Sequence, residues 1–163
     1  MKEIPLTLGK TALVDDDMFD WLMQWKWCAV YNAEINNYYA VTWLGHRPTR
    51  KMAYMHRLVL NAPRGVMTDH WNQNTLENTR ANLRLCNNSQ NQHNVGLSVK
   101  NTSGLKGIQI TPRGRWLARI RVNGRLIYLG TYDAPELAAA AYDSAAMRYF
   151  GEFALTNAMM GTL

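Results

Sequence analysis

Residues 106–151 leave this chain few ways to fold. Lys106–Thr111, Arg115–Val122 and Arg125–Thr131 read as strands, separated by Pro112-Arg113-Gly114 and Asn123-Gly124. Asn-Gly tolerates the two positive-φ positions of a type I′ turn, so the second and third segments are predicted to form a hairpin. Asp133 then precedes Glu136 by three residues, capping-box spacing with Asp as the cap. A helix is predicted from Ala134 to about Phe150, stopped by Gly151. Alanines at 138, 139, 140, 141, 145 and 146 remove bulk that would hold such a helix away from a sheet. The expected unit is a three-stranded antiparallel sheet with one helix packed on it.

Alternation assigns the faces of that sheet. Trp116, Ala118, Ile120 and Val122 share one face of the second strand, and Arg115, Leu117, Arg119 and Arg121 share the other. Ile127 and Leu129 can join Trp116 and Ile120 beneath the helix. The opposite face then presents arginines beside Tyr128.

Charge points the same way. The net charge of +6 is the sum of a −3 balance over residues 1–46, +12 over 47–132 and −3 over 133–163. Between Lys100 and Tyr132 there are seven basic residues and no acidic one. A solvated surface usually mixes both signs, so this segregation is the footprint of a face that binds a polyanion, with nucleic acid the expected partner. At 47% apolar and 18% charged residues the composition excludes disorder and a charged coiled coil. No stretch approaches the ~20 apolar residues of a membrane span, and Met1–Leu6 has no apolar signal region. Cys28 and Cys86 stand far apart, outside any CxxC pair, which argues against a disulfide framework or a cysteine-rich zinc site. The expected location is intracellular, in the cytoplasm with access to DNA, without membrane association.

The first half reads as short strands around one helix. Ile4–Leu8 and Thr11–Val14 flank a Gly9-Lys10 turn; Asp15-Asp16-Asp17 can cap and start a helix over Met18–Met23. Trp25–Tyr31 and Tyr38–Leu44 form a second expected hairpin around Asn36-Asn37, and their aromatic residues read as core and edge packing. Met55–Leu60 is a helical turn and Val66–Trp71 a strand. Eight asparagines follow between Asn72 and Asn94, a density suited to turns and caps rather than to element interiors. Gly96–Ser103 ends this polar tract.

Inside the tract lies a chemically coherent series: Met55-His56-Arg57-Leu58, Thr68-Asp69-His70-Trp71-Asn72-Gln73-Asn74, Asn78, Asn82-Leu83-Arg84 and Asn88-Ser89-Gln90-Asn91. Hydrolysis of a phosphodiester needs a base for water and a hard cation for the charge on phosphate and leaving oxygen. Histidine titrates near neutrality, and carboxylate and amide oxygens suit Mg²⁺. Asp69 and Asn91 can supply those oxygens and His70 the base. An Asp-His pair alone would read as a satisfied polar group on a buried strand, with asparagines capping turns.

Residues 55–95 resemble the HNH homing endonucleases with a ββα-metal site, in the branch whose third motif position is Asn. The resemblance implies His70 as general base, Asp69 and Asn91 as ligands of Mg²⁺ or Mn²⁺, and Asn82 as the residue that braces the catalytic loop. It gives Arg84 a phosphate contact or a role supporting the strand, and His56 and Arg57 a structural or phosphate-contacting role. Where the family continues with an aliphatic residue and a turn glycine, this chain has Trp71 and Gln73. Adjacent strand residues point to opposite faces, so Asp69 and His70 are expected to share a site only at a distorted strand end.

The runs Ser103–Ile108, Gly114–Ile120, Tyr128–Tyr132, Ala138–Ala146 around Ala141-Tyr142-Asp143, and Leu155-Thr156-Asn157 resemble the apetala-2/ethylene-response-factor DNA-binding domain, a module often fused behind an HNH nuclease in phage and mobile genes. The resemblance implies DNA contacts at Lys106, Gln109, Thr111, Arg113, Arg119, Arg121 and Tyr128, with Arg115 on the same strand face. Gln109 and Thr111 replace usual arginines, Arg113 a usual Trp and Leu126 another Arg, so the plant target sequence does not transfer.

Together these readings give an α+β chain: an HNH endonuclease domain over 1–95 (a β-rich region over 1–54, then a ββα-metal core over 55–95), a linker over 96–102, and a DNA-binding domain over 103–163. The expected activity is metal-dependent hydrolysis of duplex DNA by a monomer or weak dimer. One site per chain nicks, and a double-strand break requires a second. The rival expectation is a catalytically inactive DNA-binding regulator on an HNH-derived scaffold, signalled by Trp71 and Gln73; an RNA-binding protein is a third.

Overall fold

Residues 2–14 double back on themselves in the computed structural model, which describes residues 1–33, 35–98 and 100–162. Strand β1 (Lys2–Pro5) pairs antiparallel with β2 (Thr11–Val14), Ile4 opposite Ala12. β1 stops short of the expected Leu8 because Thr7–Gly9 winds into a 3-10 turn, with Leu8 and Gly9 at φ 59° and 63°. Helix α1 (Asp16–Leu22) begins two residues earlier than expected, and Asp15 at its N-cap makes no side-chain cap bond. Its Oδ2 instead accepts the Arg80 backbone N–H at 2.9 Å, while Arg80 pairs with Asp17. The acidic triplet thus ties down a distant loop as well as complementing the helix dipole.

β3 (Cys28–Asn32), β4 (Asn37–Leu44) and β5 (Lys51–Tyr54) form a three-stranded antiparallel sheet in that order. β3 starts later than expected at Trp25 because the tryptophans are used elsewhere: Trp25 packs edge-on against Trp21 and Trp27, and the Trp27 indole donates to the Leu22 carbonyl at 2.8 Å. The short helix α2 (Met55–Val59) leads to β6 (Met67–His70), which pairs with β7 (Leu83–Cys86), followed by α3 (Asn88–His93). Ile4, Val14, Leu22, Ala40, Met55 and Leu83 meet in one buried core.

The chain divides into two compact units, Met1–Asn88 and Ser89–Leu163. That division comes before the linker expected at 96–102, whose position 99 lies outside the described residues. In the second unit β8 (Ile108–Ile110), β9 (Trp116–Val122) and β10 (Arg125–Tyr132) form an antiparallel sheet with β9 central, covered by α4 (Pro135–Phe150). Ala118 and Ile120 pack beneath Ala138, Ala139, Tyr142 and Ala146 of the helix. Gly107 makes this close contact possible. Its φ is +73°, and a Cβ there would lie 2.0 Å from the Tyr142 ring. The expected capping box does not form. Ala134 is the N-cap, and Asp133 is drawn away to the Arg115 guanidinium at 2.7 Å. Among the described residues no helix is long and apolar enough to cross a membrane. The molecule is therefore a mixed α and β chain of small antiparallel sheets.

Candidate active site and nucleic-acid interface

Asp69 and His70 are the last two residues of β6, and both are buried. Asp69 stands opposite Arg84 of β7, whose guanidinium donates from Nε at 2.8 Å and from Nη2 at 2.7 Å to Asp69 Oδ2. The pairing register runs unbroken through His70, opposite Leu83, so the distortion expected at the strand end is absent from the ladder. His70 lies among rings rather than beside Arg84. The His56 ring meets it edge-on at 5.1 Å and Tyr39 lies at 6.2 Å, while Tyr54 packs 5.4 Å from His56 and 5.7 Å from Tyr39.

Both imidazoles are held neutral. Burial drives His56 down to about 3, helped by competition with His70 for a proton and by the Arg57 cation, and its Nδ1 has no hydrogen-bond partner among the described residues. Burial also lowers His70, opposed by its hydrogen bond to Asn78 and by Asp69 and Glu77. His70 Nε2 and the Asn78 side-chain amide lie 3.3 Å apart in a buried hydrogen bond. Asn78 is placed for this from outside the strand pair: its backbone N–H donates to the Leu13 carbonyl at 2.7 Å, and the residue is 1% exposed. Burial raises Tyr39, with Tyr54 and Asp69 adding to the effect.

The loop after His70 is built by asparagines. Asn82 Oδ1 accepts the Asn72 N–H at 3.0 Å and its Nδ2 donates to the Glu77 carbonyl at 2.9 Å, joining the two ends of the loop. Asn72 and Asn74 cap successive turns through their own side chains. The positive φ of the turn falls on Gln73, at 63°, the position where the resemblance has a glycine. Arg57 is spent on backbone: its guanidinium donates to the carbonyls of Val66, Pro63 and Ala62 at 2.7, 2.9 and 3.3 Å. His56 is enclosed in the ring cluster. Asn91 lies on α3, within the second unit.

Sequence reasoning missed Tyr39 and Tyr54 as walls of this cluster and gave Asn78 no task. Strand parity could have found the tyrosines, since Tyr54 pairs with Val41 on the face that also carries Tyr39. Among the described residues no group of three or more His, Cys, Asp and Glu side chains could hold a metal ion. A single guanidinium-paired carboxylate beside neutral imidazoles suits a hard cation that keeps most of its waters and takes few protein oxygens, the manner of Mg²⁺. It does not suit a closed structural zinc site.

On the second unit, β9 and β10 bring Arg119 opposite Tyr128 and Arg121 opposite Leu126, all four exposed. Arg121 donates to the Gly124 carbonyl at 3.0 Å, and the Tyr128 hydroxyl lies 2.9 Å from Thr131 Oγ1. Gln109 and Arg119 line one depression with Ser98, Lys100 and Asn101. Arg113 is exposed on the β8–β9 turn, where Thr111 Oγ1 accepts the Arg115 N–H at 3.0 Å. Arg115 is turned to Asp133 and to the Thr131 carbonyl. Lys106 is committed inward: its ammonium donates to the carbonyls of His93 and Val95 at 2.8 and 2.7 Å, and burial lowers it to about 8.

No family model matches the chain. It is 29% identical over 150 residues to an uncharacterized HNH endonuclease of Acanthamoeba polyphaga mimivirus, covering 91% of this chain and 75% of that protein. It is 61% identical over 46 residues to an ethylene-responsive transcription factor of Arabidopsis thaliana, 27% of this chain and 11% of that protein. A third relative, an AP2/ERF and B3 domain-containing protein of Oryza sativa subsp. japonica, is 43% identical over 60 residues, 37% of this chain. The chain spans only 16% of the length of that rice protein.

Proposed function

We propose that this chain is a DNA endonuclease of the HNH type whose second unit grips duplex DNA. The observation that carries the reading is His70, buried, held neutral and hydrogen-bonded to Asn78, directly following a buried carboxylate. In this reading the neutral His70 imidazole takes a proton from the attacking water. Asp69 is the oxygen donor that the first unit offers to Mg²⁺ or Mn²⁺, an ion that would stabilise charge on the phosphate and the leaving oxygen. Arg84 holds the Asp69 carboxylate in place, and Asn82 keeps the loop after His70 closed. Arg119, Arg121 and Tyr128, with Gln109 and Arg113 beside them, meet DNA, where guanidinium groups reach phosphates or guanine edges. Arg115 and Thr111 border that surface, and Lys106 supports it from within through the carbonyls of His93 and Val95. Similarity to the mimivirus HNH endonuclease supports the nuclease half of this reading, and similarity to the plant AP2/ERF proteins supports the DNA-binding half.

Supercoiled plasmid incubated with the full chain and Mg²⁺ or Mn²⁺ should yield relaxed circles. His70→Ala should remove that product while duplex binding persists. A chain that binds DNA and yields no relaxed or linear product with either ion would overturn the catalytic half. It would select the second reading, a metal-independent DNA-binding regulator, which one observation favours: two Arg84 donors already occupy Asp69 Oδ2.

A further inference from the structure

The first unit carries a second basic surface that none of the roles above uses. Residues 35–68 contain no acidic residue, while Arg47, Arg50 and Lys51 fall within five positions of one another. Arg47 and Arg50 occupy the connection from β4 to β5 and Lys51 opens β5, and every residue from Gly45 to Met52 is exposed. None of the three has an acidic partner among the described residues. The Arg50 guanidinium instead lies over the Trp43 ring at 4.6 Å. Trp43 itself is 47% exposed, an indole left in water with a cation seated on it.

Strand register relates this tip to the His70 cluster. Trp43 pairs with Met52, and Val41, two residues back on the same face, pairs with Tyr54. Tyr39 continues that face and packs against both Tyr54 and His56. At ~3.3 Å per residue, Trp43 sits roughly 7 Å along β4 from Val41. Trp43, with Arg50 on its ring, therefore shares a sheet face with the tyrosines of the His70 cluster, while Lys51, opposite Leu44, lies on the alternate face of the same hairpin.

We propose that the β4–β5 hairpin is a second DNA-contacting element, with Arg47, Arg50 and Lys51 gripping backbone phosphates and Trp43 holding Arg50 in its binding posture. The inference rests on the reading of the chain as a DNA-binding protein and adds a contact on the nuclease side. Charge selects the occupant. Three exposed cations with no acid among them repel a basic partner and attract a polyanion, and a planar guanidinium pre-ordered on an indole loses less freedom when it meets a phosphate. The element sets no base preference, since phosphate contacts position a protein without reading sequence.

The test is a salt titration of the full chain binding a fluorescein-labelled duplex, read by anisotropy. Each phosphate contact contributes about 0.9 to the slope of log K against log salt. A variant with Arg47→Ala, Arg50→Ala and Lys51→Ala should therefore show a slope shallower by about 2–3 and at least about tenfold weaker binding near 0.1 M salt. Trp43→Ala should weaken binding a few-fold with little change in slope. Bound duplex should also protect Lys51 of the wild-type chain from amine acetylation, a readout independent of any variant's fold. A triple variant with wild-type slope, or a Lys51 that acetylates equally with and without duplex, overturns the inference while the DNA-binding reading stands. Failure of the wild-type chain to bind duplex overturns both.

Discussion

Asn157 holds Lys106 by both ends of its own amide: Oδ1 accepts the Lys106 backbone N–H at 2.6 Å, and Nδ2 donates to the Lys106 carbonyl at 3.2 Å. The same Nδ2 donates to Asp143 Oδ1, and that carboxylate also accepts the backbone N–H groups of Asn157 and Ala158. A fully buried amide thus joins the start of the sheet to the middle of α4 and to the C-terminal segment. Asn157→Ala would strip partners from Lys106 and Asp143 at once, and stranded buried polar groups cost about 1–3 kcal/mol each. The expected loss is about 2–4 kcal/mol, visible as a clear drop in the unfolding midpoint by circular dichroism. An unchanged midpoint would mean that this network does not hold the second unit together.

Gln73 offers the opposite sign. It holds φ 63°, a region that costs a side-chain-bearing residue roughly 1–2 kcal/mol relative to glycine, and its backbone N–H closes a turn onto the His70 carbonyl at 3.0 Å. Gln73→Gly relieves that strain and gives back part of the gain through the freer unfolded chain. A net stabilisation of about 0.5–1 kcal/mol is expected. Calorimetry showing a lower midpoint would mean that the Gln73 side chain contributes more than its backbone costs.

Local chemistry was legible in the sequence where one segment dictates its own shape. The Asn123-Gly124 hairpin, the alternation of Ala118 and Ile120 against Arg119 and Arg121, and the alanine-faced helix all follow from neighbours in the chain. What escaped the sequence depends on partners far along it. Asp133 satisfies both a capping-box pattern and a cross-sheet pair with Arg115, and only the fold decides between them. Asp15 likewise reaches Arg80, and Lys106 spends its charge on carbonyls at 93 and 95 that no spacing rule connects to it. The His70 cluster shows the same division. Asp69, His70 and Asn82 could be found as a series, but Tyr39, Tyr54 and Asn78 join them through strand register and a loop pinned to Leu13.

His56 should make the first unit acid-sensitive. Its ordinary value near 6.5 falls to about 3 in the folded chain, chiefly through burial. Below about 6.5 the unfolded chain takes up a proton that the folded chain refuses, so acidification favours unfolding. Stability is full above that pH, declines through the window from about 6.5 to about 3, and levels off beneath it. The loss should reach about 3 kcal/mol, given about 1.36 kcal/mol for each pH unit separating the two values and some relaxation around a charged ring. His56→Phe keeps a ring among Tyr39, Tyr54 and His70 and removes the titration. Urea midpoints measured from pH 7.5 to pH 4 should therefore fall less steeply in the variant, the residual slope including His70. Parallel pH profiles would show that His56 is protonated in the folded chain.

The outer face of β9 should carry the salt-dependent part of DNA binding on the second unit. Arg119 and Arg121 project on one side of the strand, with Tyr128 and Leu126 across from them, while Ala118 and Ile120 fill the core on the other. Replacing either arginine by alanine therefore leaves the core untouched, and stability should stay within about 0.5 kcal/mol of wild type. Binding should respond: each substitution is expected to lower the log K against log salt slope by about 1 if the guanidinium meets phosphate. If it meets a guanine edge, the cost is instead about 1–3 kcal/mol confined to particular duplexes. Tyr128→Phe removes the hydroxyl near Thr131 and keeps the ring, so it separates a hydrogen-bonding role from a packing one. Anisotropy with two unrelated duplexes across a salt series distinguishes these cases. Arginine variants that bind both duplexes with wild-type affinity and slope would remove this face from the interface.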